Sequence, residues 1–175
     1  MLYQGEFMRD GKPLGKTRRV KDSPIAAYTF GYNRALFAQR VHDILSLVKF
    51  AGAGTSPRAV TLVGVGGAGP LVAAARAHCG TALAGAAIAT GGFRFADILD
   101  LQDENFLPGG AKYDDLPGLL ALGAPERLWL AGEGEGPAIV KSTYRQSAAT
   151  DKLTIFNGES AREPEAMIRW LVGAR

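Results

Sequence analysis

Cysteine and histidine are nearly absent from this chain. In 175 residues there is one cysteine, Cys79, and there are two histidines, His42 and His78. A single thiol excludes a disulfide within the chain and is typical of proteins of the reducing cytoplasm, where we expect this one. One cysteine and two histidines far apart in the sequence give no zinc-binding spacing, so we expect no metal site.

Long apolar runs and strong charge are also missing. No segment approaches the roughly 20 apolar residues of a membrane-spanning helix, and the first ten residues, MLYQGEFMRD, lack the basic and then apolar pattern of a secretory signal. The net charge is +3, and the basic stretch 11–22 contains no aromatic residue. We therefore expect neither nucleic acid nor membrane as a partner, and a basic loop or arm over residues 1–30.

Short apolar runs alternate with segments of helical periodicity. The apolar runs predict strands near residues 59–64, 82–89, 127–131 and 152–156. The helical segments are 34–51, 69–80, 136–148 and 163–174. Because the strands are apolar on both faces and alternate with helices, the sequence predicts a single α/β domain. We expect a three-layer sandwich with a mostly parallel sheet and helices on both faces.

One segment breaks this alternation. Residues 91–126, between the second and third predicted strands, are too many for a simple crossover. A short helix is predicted over residues 116–123. The segment also carries Phe93, Phe95, Phe106 and Tyr113. These aromatic residues fit either a local aromatic core that seals the sheet or a ligand pocket at the carboxyl ends of the strands.

The most informative motif is VTLVGVGGAGPLVAAA, residues 60–75, which reads as strand, tight turn and helix. Gly64, Gly66 and Gly69 match the dinucleotide-binding pattern G-x-G-x-x-G, in which a helix N-terminus receives the pyrophosphate. That pattern also needs an acidic residue at the end of the next strand, where this chain has Thr90. Arg94 is the nearby candidate for holding a 2′-phosphate instead.

The same turn also matches a nucleophile elbow, G-x-S-x-G, with Gly66 where the serine would stand. The segments downstream extend the match. They include FLPGGAKYDDLPGLLALGAPERLWLAGE (106–133) and KLTIFNGESAREPEAMIRWL (152–171). Over about residues 58–173 the chain resembles the C-terminal half of an α/β-hydrolase, and it is most similar to the acetyl xylan esterase and dienelactone hydrolase group.

The resemblance implies a serine hydrolase site, but two of its three members are missing. Gly66 has no side chain, and the loop NGESAREP after the last predicted strand has no histidine, with Ser160 roughly in its place. Glu135 alone fits a family role, as a remnant of the triad acid. We therefore expect a hydrolase-like, esterase-related domain that lacks serine-triad catalysis and needs no cofactor.

Two other function classes stay open. The turn 64–69 would also serve an anion- or dinucleotide-binding module, and the fold would also serve a non-catalytic interaction or scaffold protein. The first half of the family's fold has no counterpart here, so we expect a truncated or reduced relative with the strand 59–64 at the edge of its sheet. An unprotected edge favours pairing, which predicts a homodimer through the helix 34–51 and this strand.

Overall fold

The computed structural model describes residues 8–10, 12–13, 30–31, 34–53 and 59–173 of the chain. The strands are β1 Met8–Arg9, β2 Lys12–Pro13, β3 Thr61–Gly64, β4 Gly85–Ala89, β5 Leu128–Ala131 and β6 Leu153–Phe156. The helices are α1 Leu36–Gly52, α2 Gly69–Cys79, α3 Asp115–Leu122, α4 Ala138–Gln146 and α5 Glu163–Val172.

Strands β3 to β6 form a four-stranded, all-parallel sheet in the order β3-β4-β5-β6. This confirms the predicted fold class, and each strand lies within its predicted segment. Strand β4 begins later than expected because Gly80–Ala82 form a 3-10 turn. All four strands run the same way, so the loops that follow them meet at one edge of the sheet, the carboxyl edge.

One face of the sheet is covered by α1, α2, α3 and α4. Ile88 and Leu130 of the two central strands are fully buried on this side. They share a single apolar cluster with residues from all four helices, among them Phe37, Leu71, Leu120 and Val140. This cluster is the main core of the domain.

The opposite face carries the alternate side chains of the same strands. Ala87 and Trp129 are buried there, in a cluster with Met167 and Trp170 of α5. The Trp129 ring also stacks on Phe156, with 5.5 Å between ring centroids. Helices therefore lie on both faces, as the three-layer prediction requires, but α5 is the only described helix in this second cluster.

Small residues let α2 lie very close to the sheet. A Cβ atom added at Gly69 would lie 2.1 Å from the carbonyl oxygen of Ala89, and one at Gly64 would lie 2.9 Å from side-chain atoms of Val72. Neither glycine can gain a side chain without movement of its neighbours. Two of the three glycines of the motif at residues 60–75 are thus required for packing.

A buried arginine joins three elements on the helical side. Arg76 of α2 donates to the carbonyl oxygens of Leu120 (3.1 Å) and Glu126 (2.7 Å) and to the hydroxyl oxygen of Tyr144 (2.5 Å). Tyr144 in turn donates to the same Glu126 carbonyl. Burial raises the pKa of the Tyr144 hydroxyl, and the nearby Arg76 charge offsets part of that rise. This network ties α2 to α4 and to the loop before β5.

The first part of the 91–126 segment forms an aromatic extension of the core. The Phe95 ring lies edge-to-face on Phe37 (5.1 Å between centroids) and on Phe93 (5.0 Å). The Phe106 ring stacks on Phe30 at 5.1 Å. These contacts match the interpretation of a sealing aromatic core for three of the four aromatic residues.

The second part of this segment is held in an unusual backbone conformation. Tyr113, Asp114 and Asp115 are consecutive left-handed residues, with φ of 55°, 66° and 55°. The Asp115 carboxylate accepts hydrogen bonds from the backbone amides of Phe95 (2.8 Å) and Ala96 (3.0 Å). The Tyr113 side chain, in contrast, is 89% exposed. A cavity of about 690 Å³ lies between this loop, α3 and α4.

The N-terminal region contains one feature that the sequence did not predict. Strands β1 and β2 pair in antiparallel fashion, with Met8 opposite Pro13 and Arg9 opposite Lys12. Most of the expected basic arm, including residues 14–29, lies outside the described residues. None of the described helices combines the length and apolar character that crossing a membrane requires.

Candidate functional site

The candidate site lies at the carboxyl edge of the sheet, where open parallel sheets bind ligands. The loops that leave β3, β4, β5 and β6 all start here. Gly66 and Glu135, predicted as site residues from the sequence, lie on the loops after β3 and β5. The structure thus places the glycine-rich turn and the candidate acid at the same edge.

The turn between β3 and α2 contains two consecutive left-handed glycines. Gly66 has φ of +58° and Gly67 has φ of +90°, a left-handed conformation that strains residues with a side chain. The amide of Ala68 donates to the carbonyl oxygen of Val65 at 3.1 Å and closes the turn. A Cβ atom added at Gly66 would meet nothing within 4 Å. The position therefore has space for a side chain but carries none.

The same turn offers few donors to an anion. Pro70 occupies the first turn of α2 and supplies no amide hydrogen, and the Ala68 amide is already used within the turn. Thr90 stands at the end of β4, where a dinucleotide site would present a carboxylate. These features make the turn a poor phosphate cradle.

A buried ion pair lies near the turn, in the loops that follow β4 and β5. The Glu133 carboxylate accepts from the Thr90 hydroxyl (2.6 Å) and from two nitrogens of Arg94, Nη1 at 2.9 Å and Nη2 at 2.6 Å. The Glu133 side chain is 2% exposed and that of Arg94 is 32% exposed. The hydrogen bond to Glu133 raises the pKa of Arg94, against the effect of burial. The guanidinium of Arg94 is thus paired with the Glu133 carboxylate, which argues against the expected contact with a 2′-phosphate.

Tight backbone packing creates the pocket for this carboxylate. Gly132 has φ of +83° and Gly91 has φ of +60°. A Cβ atom at Gly132 would lie 2.5 Å from the amide nitrogen of Gly91. The loops after β4 and β5 therefore touch through their backbones, and this contact turns Glu133 toward Thr90.

Glu133 was missed by sequence reasoning, which singled out Glu135 in the same GEGEG run. The only available signal was position, because Glu133 lies two residues after the end of β5, next to Gly132. Glu135 is exposed and accepts a hydrogen bond from Nδ2 of Asn157 at 3.0 Å. Glu135 thus reaches the loop after β6, which is where the resemblance places the missing histidine.

His78 and the cysteine lie away from this edge. His42 is exposed on α1, and His78 is exposed in the last turn of α2. At 1.5 Å per residue, His78 and Cys79 are about 15 Å along α2 from the turn. The Cys79 thiol donates to the carbonyl oxygen of Ala75, and burial raises its pKa, with Arg76 opposing the rise. A thiol with a raised pKa is a weak nucleophile at neutral pH.

Metal coordination finds no support in the part of the chain that the structure describes. Within it, no three side chains of histidine, cysteine, aspartate or glutamate are grouped so that they could hold a metal ion. Among its polar groups, the edge presents the exposed carboxylate of Glu135 and the exposed amide of Asn157, together with an open glycine turn. These groups can bind a polar molecule, but they contain no base beside a nucleophile.

Removal of the buried carboxylate provides a test of this geometry. We expect Glu133→Ala to lower the free energy of unfolding by about 2 kcal/mol, because the buried Thr90 hydroxyl loses the closer of its two acceptors and keeps only the Ala131 carbonyl at 3.3 Å, while the partly exposed Arg94 regains water. Urea denaturation followed by circular dichroism measures the change. Glu135→Ala is the matched control, with no measurable change expected. Equal effects of the two substitutions would contradict the burial of Glu133.

Comparisons with known proteins do not identify a relative. No family model, no curated protein and no solved structure matches this chain.

Proposed function

We propose that this chain is an α/β-hydrolase-like, esterase-related domain that does not carry out serine-triad hydrolysis. The observation that carries the proposal is the conformation of Gly66, which is left-handed with φ of +58° in a turn from strand to helix. In a nucleophile elbow this strained position carries the catalytic serine. In this chain the position is occupied by glycine, which adopts the left-handed conformation without strain.

Two further observations support the hydrolase-like part of the proposal. The four parallel strands follow one another in sequence order, which is the arrangement that the resemblance to the second half of the family implies. Glu135, after β5, contacts Asn157, after β6, and these two loops would carry the acid and the base.

The chemistry of the edge supports the non-catalytic part. Serine hydrolysis needs a base that removes the proton of the nucleophile and an acid that orients the base. His78 lies in the last turn of α2, and His42 is exposed on α1. The loop after β6 presents Asn157 and Ser160, both exposed. Neither residue is a general base at neutral pH.

An ester hydrolysis assay tests the proposal. We expect the purified chain to hydrolyse short-chain aryl esters no faster than buffer does. We also expect no turnover from Gly66→Ser, because the added hydroxyl would have space but no neighbouring base. Circular dichroism of this variant serves as the folding control. Ester turnover by the unmodified chain that disappears in Glu135→Gln would overturn the proposal.

The anion- or dinucleotide-binding alternative has weaker support, since Pro70 lacks an amide hydrogen and Arg94 is paired with Glu133. Calorimetric titration with NADH, NADPH, phosphate and sulfate distinguishes the two functions. Binding that is lost in Gly66→Val would favour the alternative over the hydrolase-like domain.

A further inference from the structure

Strand β3 is an edge of the four-stranded sheet. Within the described residues it pairs with β4 alone. The carbonyl oxygen of Val60 accepts from the amide of Ala84 at 2.8 Å, so residue 60 directs its backbone groups toward β4. Because backbone groups alternate in direction along a strand, Thr61 and Val63 direct their amides and carbonyls away from β4.

This edge lacks two of the usual protections against pairing, a charged residue and a proline. Thr61–Gly64 contains no charged residue and no proline, the features with which natural edge strands prevent association. Val63 and Val65 are 42% and 43% exposed. The other edge, β6, differs because none of its large apolar side chains is strongly exposed and Phe156 packs on Trp129.

We propose that β3 pairs with β3 of a second copy of this chain, antiparallel, about a two-fold axis at Leu62. In this register Thr61 lies opposite the partner's Val63, and Val63 lies opposite the partner's Thr61. Each of these pairs exchanges two backbone hydrogen bonds, since each is a hydrogen-bonded pair of an antiparallel ladder. The two parallel sheets join into one sheet of eight strands.

The occupant is a second copy because the edge is complementary to itself. A two-fold axis brings the outward amides of each copy onto the outward carbonyls of the other, and closed two-fold dimers are the commonest protein assemblies. The facing side chains, Thr61 and Val63, are both β-branched, a favourable cross-strand combination. The dimer extends the sheet and leaves the carboxyl edge open, so it goes beyond the proposed function.

The interface is small, because β3 has only four residues. We therefore expect reversible association in the micromolar range instead of a permanent dimer. The sequence analysis also predicts that the helix 34–51 lies in this interface. Leu47 and Phe50 of α1 are 63% and 81% exposed. If α1 contributes, Phe50→Ser weakens the association. An unchanged association constant in that variant would remove α1 from the interface.

Sedimentation equilibrium between about 1 and 500 µM tests the association itself. We expect the mass to rise with concentration from the chain mass of 18.4 kDa toward twice that value. Val63→Lys places a charge on the edge and should remain at the monomer mass with an unchanged circular dichroism spectrum. Val172→Lys, at an exposed position of α5, is the matched control and should associate like the unmodified chain.

The outcomes that overturn the proposal are equally definite. One is a constant monomer mass of the unmodified chain over the whole range, and another is a Val63→Lys variant that associates as strongly as the unmodified chain. A third outcome would contradict the register. In the proposed register, Leu62 lies opposite the partner's Leu62 as a non-hydrogen-bonded pair with Cα atoms about 4.5 Å apart.

A cysteine substitution tests that register directly. In a Cys79→Ala background, mild oxidation of Leu62→Cys should give a disulfide-linked dimer, visible on non-reducing gels. Val172→Cys in the same background should not. Absence of the crosslink in a folded Leu62→Cys protein that still associates would overturn the two-fold axis at Leu62.

Discussion

Substitution of Gly69 by alanine will lower the free energy of unfolding by about 3 kcal/mol. The added Cβ atom would lie 2.1 Å from the carbonyl oxygen of Ala89. That oxygen belongs to the backbone of β4, so α2 must move away from the sheet and loosen the core along its length. Urea denaturation measures the loss, and the melting temperature should fall by roughly 9 °C.

Two other glycines provide a graded control for this prediction. Gly52, at the exposed end of α1, has no atom within 4 Å of an added Cβ, so Gly52→Ala should not destabilise the protein. At Gly64 the nearest contacts, 2.9 Å to Val72 and 3.0 Å to the Cα atom of Gly69, are less severe than the 2.1 Å contact at Gly69. We expect Gly64→Ala to fall between the other two. A Gly69→Ala variant as stable as Gly52→Ala would contradict the close packing of α2 on β4.

Loss of the Arg76 side chain will cost about 4 kcal/mol of stability. Arg76→Ala opens a cavity between α2, α3 and α4. It also leaves the carbonyl oxygen of Leu120 without its donor and removes one of the two donors to Glu126. Both effects act at the contact between α2 and α3, so chemical denaturation should detect a large change in midpoint.

Arg76→Met separates the two causes, because methionine fills most of the volume but donates no hydrogen bond. We expect it to cost about 2 kcal/mol, since the unsatisfied carbonyl remains while a buried positive charge disappears. An Arg76→Ala protein within 1 kcal/mol of the unmodified chain would contradict the role assigned to this residue.

The pH dependence of stability provides a second check on this network. Burial holds the native pKa of Tyr144 above its unfolded value, despite the opposing effect of Arg76. The native state therefore retains the proton more tightly, so this contribution to stability is complete below about pH 10 and is lost as the pH rises through the native pKa. We therefore expect the difference between the denaturation midpoints at about pH 9 and about pH 11 to be smaller in Tyr144→Phe than in the unmodified chain.

The sheet could be predicted from the sequence because short apolar runs between turn residues leave few alternatives. LWLA of β5 is buried on both sides, as its uniform apolarity indicates. The distribution of helices could not be predicted in the same way. The apolar positions of α5 recur at helical spacing, but they do not show that Ile168 and Val172 are exposed. They also do not show that Met167 and Trp170 pack on the opposite face from the other four helices.

The candidate site was predictable only in part, for a different physical reason. A cluster of glycines in a turn indicates a left-handed backbone, so the positive φ of Gly66 could be predicted from the neighbouring glycines. The roles of Glu133 and Arg94 depend on a contact between residues 39 apart, which local patterns do not encode. Arg76 is a similar case, since its partners lie 44, 50 and 68 residues along the chain.

The placement of α5 also determines what optical spectroscopy can detect in this protein. Both tryptophans of the chain, Trp129 and Trp170, lie in the cluster between α5 and the sheet. Trp170 also lies under the guanidinium of Arg127, at 4.4 Å from the ring centroid. Tryptophan emission therefore reports the docking of this one helix, whereas far-ultraviolet circular dichroism is dominated by the four helices on the other face. The two signals together resolve the two layers of helices separately, with no label added.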